Sequence, residues 1–379
     1  MSDMTAMELF KAFNKEYKTE LLSIGTVVHI CPRIPFSNPR LNYLLYGGIP
    51  RGRIVEFSGP ENGGKTTTSL DCVKNAQILF KQEYEDKINS LESLDKLNKS
   101  QIAELERLRQ IGPQKVLWVD CENTFNDDWA VLLGVDVSTL AFMSPQSQSA
   151  EQIFEMIRQL VCTGEFGLIV IDSLAVMVSQ QAQEKEIGDR TYGGISLALT
   201  RFSNEMSGLC AKYNCTLIGI NQLRDNLNNM YVPTSTPGGR AWKHNCSVRY
   251  EVRKGDLLNS KHEKIKQSSD CADGNMVNIA VVKNKVCKSK RRNASYTLMY
   301  DTGIDSFYDM IEMAIQYDFI HQGGAWFTFV NPDSGEVFCD EDGEPIRVQG
   351  QKNIPEFLRQ HEDICNIIKD CVDKKVYND

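Results

Sequence analysis

A glycine-rich segment near residue 60 places the strongest constraint on how this 379-residue chain folds. The pattern G-x-x-x-x-G-K-[ST] of a phosphate-binding P-loop is matched by Gly59, Pro60, Glu61, Asn62, Gly63, Gly64, Lys65 and Thr66. Residues 54–57 predict a strand and residues 67–80 predict a helix, which is the context that the pattern requires. Glycines let backbone N–H groups approach phosphate oxygens, and a helix N-terminus favours an anion. We therefore expect Lys65 to reach the β- and γ-phosphates of a nucleotide and the Thr66 hydroxyl to ligate Mg²⁺.

The bulk composition argues against several classes of protein. Hydrophobic residues make up 41% and charged residues 24% of the chain, and no apolar run approaches the roughly 20 residues of a membrane span. The twelve cysteines include no Cys-x-x-Cys pair and there are only five histidines, so neither a disulfide framework nor a zinc site is indicated. Because residues 1–5 do not begin a secretory signal, we expect a cytoplasmic protein with no membrane partner.

The charge distribution leaves nucleic-acid binding open. A net charge of −8 argues against a surface that is basic throughout, but residues 283–292 carry six positive charges and no negative ones. Local distribution matters more than the total for binding a polyanion. Residues 285–292 of this segment are therefore either a nucleic-acid contact or a solvated hairpin.

Periodicity divides the chain into three parts. Apolar residues at helical spacing predict an amphipathic helix over residues 5–22, which a proline-containing linker follows, so that residues 1–34 form an N-terminal element. Residues 35–304 show a βαβ pattern, which predicts an α/β core with a mainly parallel, buried sheet. Residues 305–379 predict a small α+β C-terminal domain. The predicted strands after the P-loop are 116–119, 168–171, 216–220 and 276–282.

Two segments interrupt the βαβ pattern. Residues 81–113 are rich in charge and carry apolar residues at spacings that suit a helix or a helical hairpin. We favour a self-packed surface hairpin there over a coiled-coil arm for a partner. Residues 223–243 show no period, which is typical of a functional or mobile loop inside a compact domain.

Three predicted strands end in polar residues that suit nucleotide hydrolysis. Asp172 ends an apolar strand, and in P-loop proteins a carboxylate at this place holds Mg²⁺ directly or through water. Glu122 follows a second strand and is the candidate base for the attacking water, whereas Asp120 could equally be a structural cap. Gln222 ends a third strand directly before the 223–243 loop, so its amide is placed to couple nucleotide state to the order of that loop.

Taken in order, these segments resemble the RecA family of homologous recombinases. The resemblance runs from about residue 35 to about residue 330 and is carried by residues 48–67, 186–189 (Glu-Ile-Gly-Asp), 220–224 (Ile-Asn-Gln-Leu-Arg), 238–239 (Gly-Gly) and 281–285 (Val-Val-Lys-Asn-Lys). It implies a RecA-type P-loop ATPase core that binds ATP and Mg²⁺. It further implies a homo-oligomeric filament, assembled through the N-terminal helix and the core on single-stranded DNA, that pairs with homologous double-stranded DNA. Loader or single-strand-binding proteins are further candidate partners, and the diverged ends and the 81–113 insertion indicate a phage-encoded member.

The resemblance assigns catalytic roles to individual residues. Glu122 falls at the water-activating glutamate, Asp172 at the metal-binding acid and Gln222 at the switch between nucleotide and DNA. Lys283 and Lys285 match paired lysines that reach the γ-phosphate bound by a neighbouring subunit. Two cations acting across an interface would stabilise transition-state charge and make hydrolysis depend on assembly.

The resemblance also assigns binding residues. Thr67 completes the matched P-loop region, and Trp129 falls where the family stacks an aromatic ring on adenine. Residues 183–194 and 223–243 match the two DNA-binding loops, in which glycines approach the phosphate backbone and a leucine wedges between bases. The predicted DNA-binding residues are Arg190, Arg224, Leu227, Gly238, Gly239, Arg240 and Lys243.

The chain departs from the family pattern in a few places. Leu197 stands where relatives carry a DNA-contacting arginine, which puts that contact in doubt unless Arg190 or Arg201 replaces it. Asn126 stands at a position near the adenine that is usually acidic, so the nucleobase preference is open. The long acidic tail of some relatives is missing, and autoinhibition by a tail is therefore not expected.

Two other functions compete with the recombinase. A hexameric helicase-type motor shares the core but usually completes its site with an arginine finger, whereas Lys283 and Lys285 favour the filament. A recombination accessory protein that binds DNA without hydrolysing ATP would not need Glu122, Lys65 and Asp172.

Overall fold

The structure, a computed structural model, describes residues 5–16, 31–185, 194–225, 234–269, 271–331 and 334–377. The chain divides into two compact units, Met1–Pro32 and Arg33–Asp379. In the first unit helix α1 (Ala6–Glu16) begins at a cap in which the Glu8 carboxylate accepts hydrogen bonds from the Thr5 backbone N–H (2.8 Å) and hydroxyl (3.0 Å). The remainder of the helix predicted over residues 5–22 lies outside the described residues.

The second unit contains the other described elements. Its helices are α2 (Pro39–Leu44), α3 (Lys65–Glu92), α4 (Lys99–Ile111), α5 (Asp127–Leu132), α6 (Ala150–Thr163), α7 (Gln180–Gln183), α8 (Gly194–Tyr213), α9 (Gly239–Asn245), α10 (Ser306–Gln316), α11 (Ile354–Gln360) and α12 (Glu362–Tyr377), with 3-10 turns at Leu174–Val176 and Gln351–Asn353. Its strands are β1 (Arg33–Ile34), β2 (Ile49–Pro50), β3 (Ile54–Gly59), β4 (Lys115–Asp120), β5 (Ala141–Met143), β6 (Phe166–Asp172), β7 (Thr216–Gln222), β8 (Arg224–Asp225), β9 (Thr234–Ser235), β10 (Val248–Leu258), β11 (Lys264–Ile265), β12 (Gly274–Asn284), β13 (Asn293–Met299), β14 (Gly303–Ile304), β15 (Ile320–Gly323), β16 (Trp326–Phe329) and β17 (Arg347–Gln349).

A mixed, mostly parallel ten-stranded sheet forms the centre of this unit. Strands β10, β3, β7, β6, β4 and β5 are parallel neighbours in that order. Strands β12, β13 and β14 extend the sheet beyond β10 in antiparallel fashion, and β11 also pairs with β10. The predicted α/β fold is thus confirmed. The strand predicted at 276–282 is antiparallel because β10 returns to β12 without a crossover helix, which a parallel connection needs.

Parallel strands deliver their carboxyl ends to one edge of the sheet, and this edge carries the polar strand ends of the sequence. Strand β3 ends at Gly59, β7 at Gln222, β6 at Asp172 and β4 at Asp120. All residues of β3 and β6 are buried, because helices cover both faces of the sheet. A crevice outside the carboxyl ends of such strands is where open α/β sheets bind ligands.

Two apolar clusters cover the two faces of the sheet. On one face α3 packs Leu70, Val73 and Phe80 against the strands. On the other face α6 and α8 contribute Ile157 and Met206 among others, together with the fully buried Trp242 of α9. The sheet is therefore held between helical layers, which fixes the strand ends relative to one another.

Residues 81–113 form a helical hairpin. Helix α3 begins in the P-loop and continues to Glu92, well past the predicted end at Phe80, since no glycine or proline interrupts residues 65–111. Helix α4 returns alongside it, and salt bridges join Lys87 to Glu104 (2.5 Å) and Arg109 to Glu92 (2.7 Å). The P-loop helix is thus also one arm of this hairpin.

The C-terminal part has its own apolar cluster and a three-stranded antiparallel sheet of β15, β16 and β17. Arg291, from the basic segment, ties this part to α2. Its guanidinium lies 3.6 Å from the Tyr43 ring centroid and donates hydrogen bonds to the carbonyl oxygens of Tyr43 (2.6 Å) and Val376 (3.0 Å). Arg291 is 8% exposed, so this charge of the basic segment has a structural role.

Candidate nucleotide-binding site

The P-loop passes strand β10 at a separation that only glycine permits. A Cβ added to Gly59 would lie 2.0 Å from the carbonyl oxygen of Val252. Gly64, the N-cap of α3, has a φ of +97°, in the left-handed region that residues with a side chain rarely adopt. Glycine is therefore required at positions 59 and 64 for steric reasons, and both residues fix the path of the loop into α3.

Lys65 is the first residue of α3 and points its charge at an acidic cluster. Its Nζ donates a hydrogen bond to the carbonyl oxygen of Pro60 at 2.7 Å. Burial lowers the pKa of Lys65, and the nearby Asp172, Glu122 and Glu61 carboxylates partly offset this effect. A bound phosphate would favour the charged amine, so the site suits an anion between Lys65 and the loop.

Thr66 and Asp172 lie together at the start of α3 and the end of β6. The Thr66 hydroxyl donates to the Asp172 carboxylate at 2.9 Å. Burial, helped by the charges of Glu122 and Asp120, raises the pKa of Asp172 to about 6, although the Thr66 hydrogen bond opposes the shift. These hard oxygen donors fit Mg²⁺, which prefers one or two protein ligands and takes its other ligands from phosphate and water. Among the described residues no group of three or more His, Cys, Asp or Glu side chains is arranged to hold a metal.

Glu122 lines the same cavity as Lys65, Thr66 and Asp172, and two neighbours orient its carboxylate. The Ser173 hydroxyl donates to Glu122 Oε1, and Gln222 Nε2 lies 3.4 Å from the same oxygen. The structure thus brings Glu122 and Gln222 together from β4 and β7. Sequence reasoning assigned no role to Ser173, although its position directly after Asp172 was the available signal.

Asp120 has the structural role that the sequence left as an alternative. Its carboxylate accepts hydrogen bonds from the backbone N–H groups of Glu122 (3.1 Å), Thr124 (3.4 Å) and Phe125 (3.0 Å). Asp120 therefore holds the turn after β4, which sets the position of the Glu122 side chain.

A cavity of about 570 Å³ joins these groups. Trp129, from α5, lines it and donates through Nε1 to the Thr67 hydroxyl at 3.3 Å, while Asn126 caps α5 by accepting from the Trp129 backbone N–H at 2.8 Å. The sequence missed the opposite wall, which comes from the antiparallel strands and carries no motif. Its residues are Lys254, Asn275, Leu298 and Tyr300. Of the predicted P-loop residues, those lining the cavity are Glu61, Asn62, Gly63, Gly64, Lys65, Thr66 and Thr67.

Lys283 and Lys285 do not line this cavity. Both lie at the end of β12, where Lys283 Nζ donates to the carbonyl oxygens of Lys243 (2.5 Å) and His244 (2.8 Å) and Lys285 Nζ donates to that of His244 (2.8 Å). Burial and the neighbouring Lys285 charge lower the pKa of Lys283 to about 8. The two ammonium groups are thus close together and held by the last turn of α9.

The described DNA-binding candidates cluster around β8 and α9. Arg224 follows the switch strand β7 and is exposed, as is Arg240. Gly238 and Gly239 have φ values of +100° and +76° and form the sharp entry into α9. Lys243 is half-buried, and burial and the Arg249 charge lower its pKa. Strands β8 and β9 pair in antiparallel fashion, with Arg224 opposite Ser235 and Asp225 opposite Thr234.

Four further residues bear on the predicted contacts with DNA. Arg190 and Leu227 lie outside the described residues. Leu197, on α8, is 74% exposed, so an apolar side chain does occupy the surface where the resemblance expects a contact with DNA. Arg201, four residues later on α8, is exposed and pairs with Glu205 at 3.5 Å.

Comparison with known proteins gives a consistent match. The RecA N-terminal domain family matches residues 35–96 and 96–305. The chain belongs to the RecA family. Protein RecA of Streptomyces coelicolor is 32% identical over 345 residues, which cover 90% of this chain and 77% of that protein. Protein RecA of Chlorobaculum tepidum is 30% identical over 363 residues, which cover 95% of this chain and 88% of that protein.

RecA-family membership confirms the resemblance found in the sequence. It also confirms the predicted α/β fold class and the predicted function of a recombinase in recombination and repair. None of the described helices is long and apolar enough to span a membrane.

Proposed function

We propose that this RecA-family chain is a DNA-dependent ATPase that assembles on single-stranded DNA and drives strand exchange with a homologous duplex by binding and hydrolysing ATP. One observation carries the proposal. Lys65, Thr66, Asp172, Glu122 and Gln222, which span more than 150 residues of sequence, line a single cavity at the carboxyl edge of the parallel strands.

Nucleotide binding follows from the P-loop geometry. Lys65 is placed to neutralise phosphate oxygens, and Thr66 and Asp172 are the ligands expected for Mg²⁺. When bound, Mg²⁺ would neutralise charge on the phosphate oxygens. Trp129, which already borders Thr67, and Tyr300 on the opposite wall are the flat surfaces available to a nucleobase.

Hydrolysis requires a base beside the terminal phosphate. Glu122 is placed to accept a proton from the attacking water, as the water oxygen bonds to the terminal phosphorus and the bond to the leaving ADP breaks. The hydrogen bonds from Ser173 and Gln222 hold the Glu122 carboxylate in one orientation. Gln222 is thereby linked to the group that activates water and, through the chain, to the segment that begins at Arg224.

Lys254 is the cation on the wall opposite the P-loop, and we assign further stabilisation of charge on the terminal phosphate to Lys283 and Lys285 of an adjacent protomer. Their positions outside the cavity of their own chain support an action across an interface. Hydrolysis would then depend on assembly, because each protomer supplies half of a site.

DNA contact is assigned to the segment around α9 and to β8. The exposed Arg224 and Arg240 supply charge for phosphate contacts, and the glycines at 238 and 239 allow close approach of the backbone. Arg190 and Leu227 stay predictions of the same kind.

Two assays test the proposal. ATP turnover should rise when single-stranded DNA is added, and strand exchange should occur with a homologous duplex but not with a heterologous one. Turnover that ignores DNA, or exchange that does not require homology, would contradict the proposal. Closed rings rather than filaments in electron micrographs with ATP and DNA would favour the helicase-type motor.

A further inference from the structure

Strand β3 contains a fully buried carboxylate that no step of hydrolysis uses. Glu56, three residues before Gly59, is 0% exposed and does not line the nucleotide cavity. Its Oε1 accepts hydrogen bonds from Asn221 Nδ2 at 3.0 Å and Trp242 Nε1 at 2.9 Å, and its Oε2 accepts from Arg249 Nε. A carboxylate buried at this depth is tolerated only when charge and hydrogen bonds compensate it, so the three donors and the acid form one unit.

The three donors come from elements that carry the predicted functional residues. Asn221 directly precedes Gln222, and its Oδ1 accepts from the Gln222 backbone N–H at 3.1 Å. Trp242 lies in α9, three residues after Gly239, the first residue of that helix. Arg249 lies on β10, beside the strand that leads into the P-loop.

The same donors also hold the segment that enters α9. Asn221 Nδ2 donates to the carbonyl oxygen of Pro237 at 3.0 Å. Arg249 Nη2 donates to the Thr236 hydroxyl at 3.3 Å. Residues 236 and 237 immediately precede Gly238, so the approach to the predicted DNA contacts is fixed by groups that Glu56 orients.

Together these contacts form a continuous path. From Glu122 it passes to Gln222, through the Asn221 side chain to Glu56, and from there to α9 through Trp242. Glu56, Asn221 and Trp242 are fully buried, so each hydrogen bond lost among them would leave an unpaired polar group. We therefore expect a shift of Gln222 to displace Glu56 and α9 as well.

We infer that Glu56 is a positioning residue that couples the nucleotide cavity to the DNA-facing segment at Gly238–Arg240. The inference rests on the proposed function, since it assigns how nucleotide binding and DNA binding influence each other. It gives Glu56 no contact with nucleotide or DNA. Its effect is a coupling free energy between two sites, which is reciprocal.

The test is the ratio of single-stranded DNA affinities measured with and without a non-hydrolysable ATP analogue. In Glu56→Gln an amide nitrogen would replace one carboxylate oxygen and face hydrogen-bond donors. Arg249 would also lose the negative charge with which it pairs. We expect the ratio to fall by about tenfold or more, within the usual range of coupling free energies. The affinity for the analogue in the absence of DNA should stay within about twofold of the wild type, because no cavity residue changes.

A second variant and a matched control separate coupling from folding. Trp242→Phe removes one donor and keeps the charge pair, so the ratio should fall by a smaller factor. Asp309→Asn is the control, because Asp309 is also fully buried. Its carboxylate accepts from Asn38 (2.6 Å), the Thr297 backbone N–H (2.8 Å) and Arg40 (3.5 Å), and none of these residues belongs to the predicted sites. This control should lower the melting temperature and leave the ratio unchanged.

Each outcome decides the matter. A ratio in both Glu56→Gln and Trp242→Phe within about twofold of the wild type would overturn the inference. Equal losses in Asp309→Asn would also overturn it, since they would show that general destabilisation moves the ratio. If the wild type itself shows no effect of nucleotide on DNA affinity, the proposed function fails first, and that failure is visible before any variant is made.

Discussion

The parallel and the antiparallel halves of the central sheet contribute different things to the nucleotide cavity. The parallel strands β3, β7, β6 and β4 all end at the edge that carries the P-loop, the acids and the Gln222 amide. Strand β10, which is parallel to β3 but antiparallel to β12, forms the opposite wall together with β12, β13 and the residue after β13. The residues of this wall are Lys254, Asn275, Leu298 and Tyr300. Strand β12 also carries Lys283 beside its end at Asn284, and Lys285 follows the strand, both away from the cavity.

This difference follows from strand direction. Parallel strands place every carboxyl end at one edge, so several segments can each supply a group to the same point. Neighbouring antiparallel strands begin at opposite edges of the sheet. Strand β12 therefore lines the cavity near its start at Asn275 and carries Lys283 near its end at the other edge. Under the proposed function, the parallel half supplies the chemistry of one protomer, whereas the antiparallel half would contribute to the sites of two.

The largest effect is expected when Lys65, the cation of the parallel half, is removed. Lys65→Ala should lower ATP turnover by at least about 10² to 10³-fold, the loss seen when one preorganised charge-stabilising group is removed. Assembly on DNA in the presence of ATP should be lost as well, because the half-site would no longer bind nucleotide. Lys81→Ala, an exposed lysine on the same helix, is the control and should behave like the wild type. Normal ATP-dependent assembly of a Lys65→Ala protein that cannot bind ATP would contradict the two-protomer site.

The second-largest effect is expected when the two lysines at the end of β12 are removed. Lys283→Ala combined with Lys285→Ala should lower DNA-stimulated turnover by about 10³-fold, as for other cations supplied across an interface. Nucleotide binding by the isolated protomer should persist, because neither lysine lines the cavity.

Mixing variants tests whether those lysines act across an interface. Glu122→Gln should be inactive but retains Lys283 and Lys285, and the double lysine variant retains Glu122. Mixed on DNA, they should recover part of the turnover, since some interfaces would combine an intact cavity with intact lysines. A mixture no more active than its components would show that the lysines act within their own chain.

Much of the parallel half was predictable from sequence because each of its groups ends an apolar strand. The P-loop, Asp172 and Glu122 could be identified in this way, and the strand order then brought them together. Ser173 and Asp120 show the limit, since their roles depend on hydrogen bonds that become visible only in the folded turn after each strand.

The antiparallel half was less predictable for a physical reason. Asn275 and Tyr300 meet the P-loop only because β10 pairs with β3 and β12 pairs with β10, and no local pattern encodes pairings over such distances. The buried Glu56 was missed because a charged residue inside a strand carries no spacing signal. The boundary of α3 was wrong because nothing in the sequence stops the helix at Phe80.

A smaller effect concerns the protonation of Lys283. Burial and the Lys285 and Arg249 charges lower its pKa to about 8, and the Cys246 side chain partly opposes this shift. The protonated form is the one that can stabilise phosphate charge, so DNA-stimulated turnover should fall as the pH rises from about 7 to about 9, by at most about tenfold because a bound phosphate favours the charged amine. The free energy of unfolding should instead rise with pH over this range, because the unfolded chain holds the Lys283 proton more tightly than the folded chain does.

Lys283→Arg is the matched control for that pH dependence. Arginine stays charged throughout this range, so the turnover profile of the variant should be flat where that of the wild type declines. A decline of the same size in Lys283→Arg would assign the pH dependence to another group.

The smallest expected effect is at the hairpin, which lies at the far end of the helix that begins with Lys65. Arg51 bridges its base by donating to Glu83 (2.5 Å) and Gln114 (2.9 Å), so replacing residues 86–111 with a short glycine linker keeps both contacts. The hairpin's Lys87–Glu104 and Arg109–Glu92 pairs are exposed, and such pairs contribute under about 1 kcal/mol each. Turnover and DNA-dependent assembly should therefore stay within about twofold of the wild type. Loss of assembly with intact nucleotide binding would instead make the hairpin a contact between protomers and add a third region to the two halves of the sheet.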